Sequence, residues 1–243
     1  MIIEQFIKEY INKKSFIRLE ILIFSLYKRL FMGSNEQMAT IAKRPHIDAI
    51  LSFFDEIGIE YKVEDEVKGS FSPNIDIIKG VVYIDYAKVL IVDLLHESGH
   101  LALVPKKYRE LFTGNLYKGF QEYQKTVLDL PIPFGDKTMD VLMTCDDTEV
   151  TAWSWALGRK LGLPPEEIIT DESYDGNGAG IRDSLLISEN SSMPYAGVTK
   201  LHHALYTEKI NRMTKAQNPD AQFYPHMKHW TADSVLAELD MAV

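Results

Sequence analysis

The feature of the sequence that most constrains the fold is a pentapeptide, His96-Glu97-Ser98-Gly99-His100, which lies in the middle of an apolar run. Apolar side chains flank it at helical spacing: Val89, Leu90, Ile91, Leu94, Leu95, Leu101 and Leu103. This spacing predicts a helix that is capped by Asp85 and runs to Pro105. An apolar helix has little reason to hold two histidines and a glutamate near its centre unless they bind a ligand.

The pentapeptide fits the pattern H-E-x-x-H, in which one helical turn separates the two histidines. His96 and His100 therefore lie on one face, where both imidazoles can coordinate a single Zn²⁺ ion. Glu97 is displaced around the helix, so its carboxylate reaches a water molecule on the metal and not the metal itself. The pattern predicts a zinc-dependent hydrolase with His96 and His100 as metal ligands, Glu97 as the general base and peptide bonds as the default substrate.

A hydrolytic zinc site needs a third protein ligand and one position left for water. The best candidate in the sequence is Glu149, on a helix predicted from Met139 to Leu161, because small residues on its face allow close packing against the histidine helix. Asp146, one turn earlier on the same face, is the alternative, and Asp147 is less well placed. Spacing alone leaves the choice between Glu149 and Asp146 open.

Other polar side chains are candidates for supporting roles. Asp93 and Asp146 are placed to accept a hydrogen bond from the second nitrogen of a ligand histidine. Tyr195, or one of the adjacent His202 and His203, is a candidate donor to a developing oxyanion.

The rest of the chain indicates many helices and few strands. Helices are predicted at 2–31, 48–57, 107–112, 117–126, 181–187 and 198–212, with a short one from Pro164, and strands at 59–63 and 80–85. The segment Phe71–Asp76 is ambiguous between strand and turn. We expect an α+β fold with an N-terminal helical appendage, residues 1–45, before a domain over 46–243, or else one domain over 1–243. The tail from Tyr195 to Trp230 is expected to fold back over the catalytic half.

Composition limits the partners of the chain. A net charge of −9 argues against nucleic acid, whose phosphates need a basic surface. Residues 1–44 differ from the rest, with eight Lys/Arg against four Asp/Glu. A partner that binds these basic N-terminal helices is therefore possible. The most apolar stretch, Ile21–Tyr27, is too short to span a membrane. The single cysteine, Cys145, is predicted to be a buried thiol and, with no signal-peptide pattern at the start, indicates a cytoplasmic protein.

The sequence also resembles a known family. His96-Glu97-Ser98-Gly99-His100-Leu101-Ala102-Leu103, followed by Glu149-x-x-Ala152-x-x-x-Ala156 and by Pro164, is similar to the ImmA/IrrE-type metallopeptidases. The resemblance implies a gluzincin-like zinc enzyme that cleaves a peptide or protein, with His96, His100 and Glu149 as ligands and Glu97 as base. It also implies a mainly helical, zincin-like domain whose small sheet packs on the H-E-x-x-H helix. The alternative is a non-catalytic, zinc-stabilised regulatory or protein-interaction module, in which the fourth coordination position is closed.

Overall fold

Many helices and one small sheet make up the described part of the chain, which is therefore α+β. The computed structural model describes residues 43–70, 72–114, 116–189, 194–208 and 222–241. The N-terminal appendage expected at residues 1–45 lies outside these ranges except for its last three positions. None of the helices within the described ranges is long and apolar enough to cross a membrane.

The elements follow one another with short connections. In chain order they are α1 (Pro45–Ile57), β1 (Tyr61–Glu64), β2 (Ile75–Ile78), β3 (Val81–Asp85), α2 (Ile91–Leu103), a 3-10 helix (Lys106–Leu111), α3 (Leu116–Leu128), α4 (Lys137–Leu142), α5 (Asp147–Lys160), α6 (Pro165–Ile168), α7 (Ser173–Gly176), α8 (Gly178–Ser188), α9 (Ala196–His203) and α10 (Ala232–Met241).

The sheet has the strand order β1-β3-β2. β3 pairs in parallel with β1 and antiparallel with β2. β2 and β3 are joined by a two-residue turn in which Lys79 and Gly80 both have positive φ, 50° and 74°, as a tight hairpin requires. The buried side chains of these two strands, Ile75, Ile77, Val82 and Ile84, face the core. β2 resolves the ambiguity at Phe71–Asp76, since the strand begins only at Ile75, after the turn.

The histidine helix α2 begins later than its sequence predicts, and the expected cap at Asp85 is wrong. The Asp85 carboxylate accepts a hydrogen bond from the Ala87 N–H at 3.1 Å. The backbone carbonyl of Asp85 accepts one from the Val89 N–H at 2.8 Å. These bonds close a turn directly after β3, as an aspartate side chain often does. α2 therefore begins at Ile91, with Leu90 in the capping position.

The single helix expected from Met139 to Leu161 is two helices, and this is the second correction. α4 ends at Leu142, and α5 begins at Asp147 with Asp146 as its N-cap. Asp146 and Glu149 form a capping box, in which each side chain accepts a hydrogen bond from the other residue's backbone N–H. α5 is buried almost all round from Glu149 to Gly158, so it is the central helix of the fold.

The tail packs against α5, on the half of the molecule that carries the pentapeptide. α9 lies along α5, and the Tyr224 hydroxyl donates to the Ala152 carbonyl at 2.8 Å. The Trp153 indole donates to the Trp230 carbonyl at 3.0 Å, and the Trp230 ring meets Phe53 edge-on with centroids 5.0 Å apart. α10, which the sequence pattern did not indicate, follows this segment.

Candidate metal centre

Two helices bring three metal-binding side chains together. His96 and His100 lie one turn apart on α2, with ring centroids 4.9 Å apart. Asp147, the first residue of α5, places its Oδ1 atom 3.4 Å from His100 Nε2 and 3.9 Å from His96 Nε2. The ligand atoms of all three residues lie within 4.8 Å of one another, so this group can hold a metal ion.

Close packing of α2 against α5 produces this arrangement. A Cβ atom on Gly99 would lie only 2.9 Å from Val150 Cγ1, so a glycine is what allows the two helices to approach at this point. The Ser154 hydroxyl adds a hydrogen bond of 3.0 Å to the Leu95 carbonyl. The start of α5 therefore lies beside the histidine face of α2.

Glu149 is not part of the group, in contrast to what the sequence favoured. Its fully buried carboxylate accepts hydrogen bonds from the Asp146 N–H at 2.7 Å and the Thr148 hydroxyl at 2.8 Å. It also pairs with Lys200 Nζ at 2.6 Å. The alternative ligand, Asp146, caps α5 and lies 3.6 Å from the same ammonium group. The structure therefore brings neither Glu149 nor Asp146 to the histidines.

Asp147 was judged less well placed because the face of the helix towards α2 was taken to be that of Glu149 and the small residues Ala152 and Ala156. The side chains of α5 that contact α2 are instead Val150, Trp153 and Ser154, and Ser154 lies two turns after Asp147 on the same face. A signal for the break was present: Asp146-Asp147-Thr148-Glu149 has the spacing of a capping box. That spacing marks Asp146 as a helix start and leaves Asp147 in the first turn.

Burial favours the neutral forms of both histidines, against the charge of Asp147 at His96. The Nδ1 atom of His96 lies 3.4 Å from the Tyr174 hydroxyl, which in turn lies 2.7 Å from Thr151 Oγ1. Burial lowers the pKa of His96, and burial followed by the charge of His96 lowers the pKa of His100 well below its usual value. Neutral imidazoles are the form that binds metal.

His100 Nδ1 is buried and makes no hydrogen bond of normal geometry within the described ranges. The backbone of Cys145 is nevertheless close enough to raise the pKa of this imidazole, against the larger effect of burial. A ligand histidine usually directs its second nitrogen at such a backbone group. Cys145 itself is buried, and burial raises the pKa of its thiol, as expected for an inert side chain.

Glu97 lies beside the histidines in a nearly closed environment. Its side chain is 7% exposed, and the Ser72 hydroxyl donates to Oε1 at 3.3 Å. Burial raises the pKa of Glu97 to about 7, the Ser72 hydrogen bond opposes this shift, and the charge of Asp93 adds to it. A general base with a pKa near 7 is suited to neutral pH.

The supporting candidates lie away from the three ligand atoms. Asp93 is half-buried on the Glu97 side of α2, where burial raises its pKa and the nearby Ser72 hydroxyl opposes that shift. Tyr195 does not line the pocket. The His202 ring is hydrogen-bonded to the Thr207 carbonyl at 3.0 Å, and His203 is exposed. The structure thus brings none of the proposed oxyanion donors to the group.

A pocket of about 270 Å³ opens onto the group. Its lining consists of the three candidate ligands and Glu97, with an apolar wall from α3: Leu116, Tyr117 and Phe120. The Phe120 ring meets the His100 ring edge-on with centroids 4.9 Å apart. The volume is at the small end for ligand sites, so it admits a side chain or a short segment of a larger molecule.

The three residues fit a zinc ion. Ligand atoms bound tetrahedrally to zinc lie roughly 3.3 Å apart, and Asp147 Oδ1 lies 3.4 Å from His100 Nε2 and 3.9 Å from His96 Nε2. Two imidazole nitrogens and one carboxylate oxygen are a common donor set of catalytic zinc. No fourth His, Cys, Asp or Glu joins the group within the described ranges, which leaves a position for water.

Comparisons of the chain with family models, with curated proteins and with solved structures found no match. The site is therefore interpreted from its own geometry.

Proposed function

We propose that this chain is a zinc-dependent metallopeptidase in which His96, His100 and Asp147 hold the ion and Glu97 is the general base. One observation carries the proposal: three ligand atoms of suitable type lie together on a pocket floor, with a buried glutamate beside them. The resemblance of the sequence to ImmA/IrrE-type metallopeptidases supports a peptide or protein substrate. It names Glu149 as third ligand, whereas we propose Asp147 for that role.

A bound zinc ion would supply Lewis-acid chemistry, lowering the pKa of a coordinated water towards 7. The residues of the chain do the rest. Glu97, with a pKa of about 7, accepts the proton of the attacking water at its carboxylate and returns it to the leaving nitrogen. Ser72 holds that carboxylate by a hydrogen bond. The apolar wall of α3 borders the reacting groups on one side of the pocket.

The non-catalytic module remains the alternative, and it requires a closed site with four protein ligands. Asp146 or His203 would have to be the fourth ligand of such a site. The Asp146 carboxylate lies 3.6 Å from Lys200 Nζ, and His203 is absent from the pocket lining. With a three-ligand group and an adjacent glutamate, the hydrolase is the better explanation.

The test is a Glu97→Gln substitution. We expect the variant to keep one zinc ion per chain by elemental analysis, because Glu97 is not a ligand. Cleavage of fluorescently labelled casein should fall by about 100-fold or more, since the general base is lost. Glu110→Gln, at an exposed glutamate of the 3-10 helix, is the control and should cleave normally. A wild-type chain without zinc, or full activity in Glu97→Gln, would show the proposal to be wrong.

A further inference from the structure

The carboxylate of Asp147 is held mainly by the backbone that carries it. Its side chain is 79% exposed. Within the described ranges its close polar contacts are those with His96 and His100. Its position therefore depends on how well the first turn of α5 is ordered.

Glu149 orders that turn from inside the protein. Its carboxylate accepts hydrogen bonds from the Asp146 N–H at 2.7 Å and from the Thr148 hydroxyl at 2.8 Å. These two residues are the neighbours of Asp147 on either side. One buried carboxylate thus fixes the chain both before and after the candidate ligand.

A buried carboxylate needs a compensating charge, and α9 provides it. Lys200 Nζ lies 2.6 Å from Glu149 Oε1, and the Glu149 side chain is fully buried. Burial of an unpaired charge is unfavourable, so removal of Lys200 would favour opening of the turn to water. The lysine is half exposed, so its own substitution leaves the core intact.

The backbone of α9 also touches the same turn. A Cβ atom on Gly197 would overlap the carbonyl oxygen of Thr148 and lie 2.9 Å from the Glu149 nitrogen. α9 therefore lies directly on the residues that flank Asp147. The Lys200–Glu149 ion pair and the contact of Gly197 with Thr148 both hold α9 against the first turn of α5.

We propose that Glu149 and Lys200 are positioning residues for the metal site, through which α9 sets the metal affinity by ordering the turn that carries Asp147. The proposal rests on the proposed function in that it takes Asp147 as a metal ligand. It gives Glu149 a role other than the ligand role that the family resemblance implies.

The experiment is a titration of the metal-free full chain with Co²⁺, followed by competition with Zn²⁺. Lys200→Met should weaken Co²⁺ binding on the order of 10-fold, a typical effect of residues that orient metal ligands. Lys200→Arg should restore most of the affinity because it keeps the charge. Lys228→Met is the control, since Lys228 is a lysine of similar exposure that pairs with a half-exposed carboxylate, Glu238 of α10, at 2.5 Å. The Co²⁺ affinity of this variant should equal that of the wild type. Melting curves of the metal-free variants separate an affinity effect from general unfolding.

Glu149→Gln distinguishes a positioning residue from a ligand. Glutamine keeps an acceptor for the Asp146 N–H but loses the charge. We expect weaker Co²⁺ binding with an unchanged visible spectrum, because the ligand set is the same. The double variant with Lys200→Met should bind about as weakly as Lys200→Met alone, since both substitutions break the Glu149–Lys200 ion pair and Lys200→Met already removes the contact with Asp146 as well.

Three results are decisive against parts of this scheme. Wild-type affinity in Lys200→Met would overturn the positioning role while leaving the metal site in place. Loss of the tetrahedral Co²⁺ spectrum in Glu149→Gln, together with its retention in Asp147→Asn, would make Glu149 the ligand and also overturn it. A wild-type chain that binds neither Co²⁺ nor Zn²⁺ would refute the proposed function itself.

Discussion

At the scale of single residues, Glu97 shows opposing effects on one carboxyl group. Burial is the largest effect and raises its pKa to about 7, and the Ser72 hydrogen bond acts in the other direction. Nearby acids, Asp93 foremost, add to the rise. The hydroxyl of Ser72 thus keeps part of the glutamate ionised at neutral pH.

Ser72→Ala should therefore raise the pKa of Glu97. A base must be deprotonated to act, so a higher pKa moves the acidic limb of the activity profile to higher pH. A hydrogen bond to a charged group is worth about 1.5–3 kcal/mol, which corresponds to a shift of about 1–2 pH units. The measurement is kcat/KM against pH. Ser184→Ala, which removes a hydroxyl bonded to the Gly180 carbonyl on α8, should leave the profile unmoved; a shift to lower pH in Ser72→Ala would contradict the assignment.

At the scale of elements, the sequence predicted best where a local signal stood alone. α1 ends at Gly58, which has a φ of 73°, the left-handed conformation that glycine adopts readily at a helix end. β3 was predicted within one residue from its run of β-branched residues. The end of α1 and the strand β3 are both determined by residues close together in the sequence, so a local sequence pattern predicts them.

Two local features were not predicted, the strand β2 and the break before α5. β2 is four residues long, and its pairing with β3 is what makes it a strand. The break before α5 is an interaction of one side chain with a backbone N–H, which apolar periodicity does not register. His96, Glu97 and His100 lie within about one helical turn and were predictable from the sequence. Asp147 comes close to the histidines only because α5 packs on α2, and local sequence patterns do not show that packing.

The contact between α2 and α5 leads to a prediction at Gly99. In Gly99→Ala the new Cβ would lie 2.9 Å from Val150 Cγ1 and 3.2 Å from Trp153 Cε3, so the helices must separate. We expect a loss of about 1–3 kcal/mol in unfolding free energy, measured by urea denaturation. Zinc affinity should fall with it, because separation moves Asp147 away from His100.

Gly180→Ala is the control for this substitution. Gly180 lies in α8, and a Cβ there would meet only the Asn177 side chain, which can move. An alanine in a helix is favoured over glycine by about 1 kcal/mol, so this variant should be as stable as the wild type or more so. Equal stability of Gly99→Ala and the wild type would mean that the helices are not in close contact.

At the scale of the whole molecule, Arg109 connects three parts of the chain. Its buried guanidinium donates to the Val104 carbonyl and to the Gly58 carbonyl, each at 3.1 Å, and lies 3.5 Å from Asp233 of α10. Burial lowers its pKa, and the charge of Asp233 acts against that effect. One side chain thereby links the end of α2, the end of α1 and the last described helix.

Arg109→Met should lower the unfolding free energy by at least about 2 kcal/mol, because it leaves the buried carbonyls of Val104 and Gly58 without this donor. Lys106→Met is the control, at a lysine that pairs with Glu60 at 3.1 Å, and both side chains of this pair are well exposed. An exposed pair contributes about 1 kcal/mol or less, so that variant should lose far less stability. Chemical denaturation of both variants makes the comparison, and similar losses would contradict it.

The division of the metal group between α2 and α5 has a thermodynamic consequence. The 3-10 helix, α3 and α4 lie between these helices in the sequence, so an unfolded chain does not hold His96, His100 and Asp147 together. If the three residues hold zinc as proposed, the ion binds the folded state alone, and a free concentration 100 times its Kd would stabilise that state by about 2.7 kcal/mol. Melting temperatures should rise with added zinc and fall with a chelator, with a smaller rise in Asp147→Asn. The lifetime of the folded chain would then follow the supply of free zinc around it.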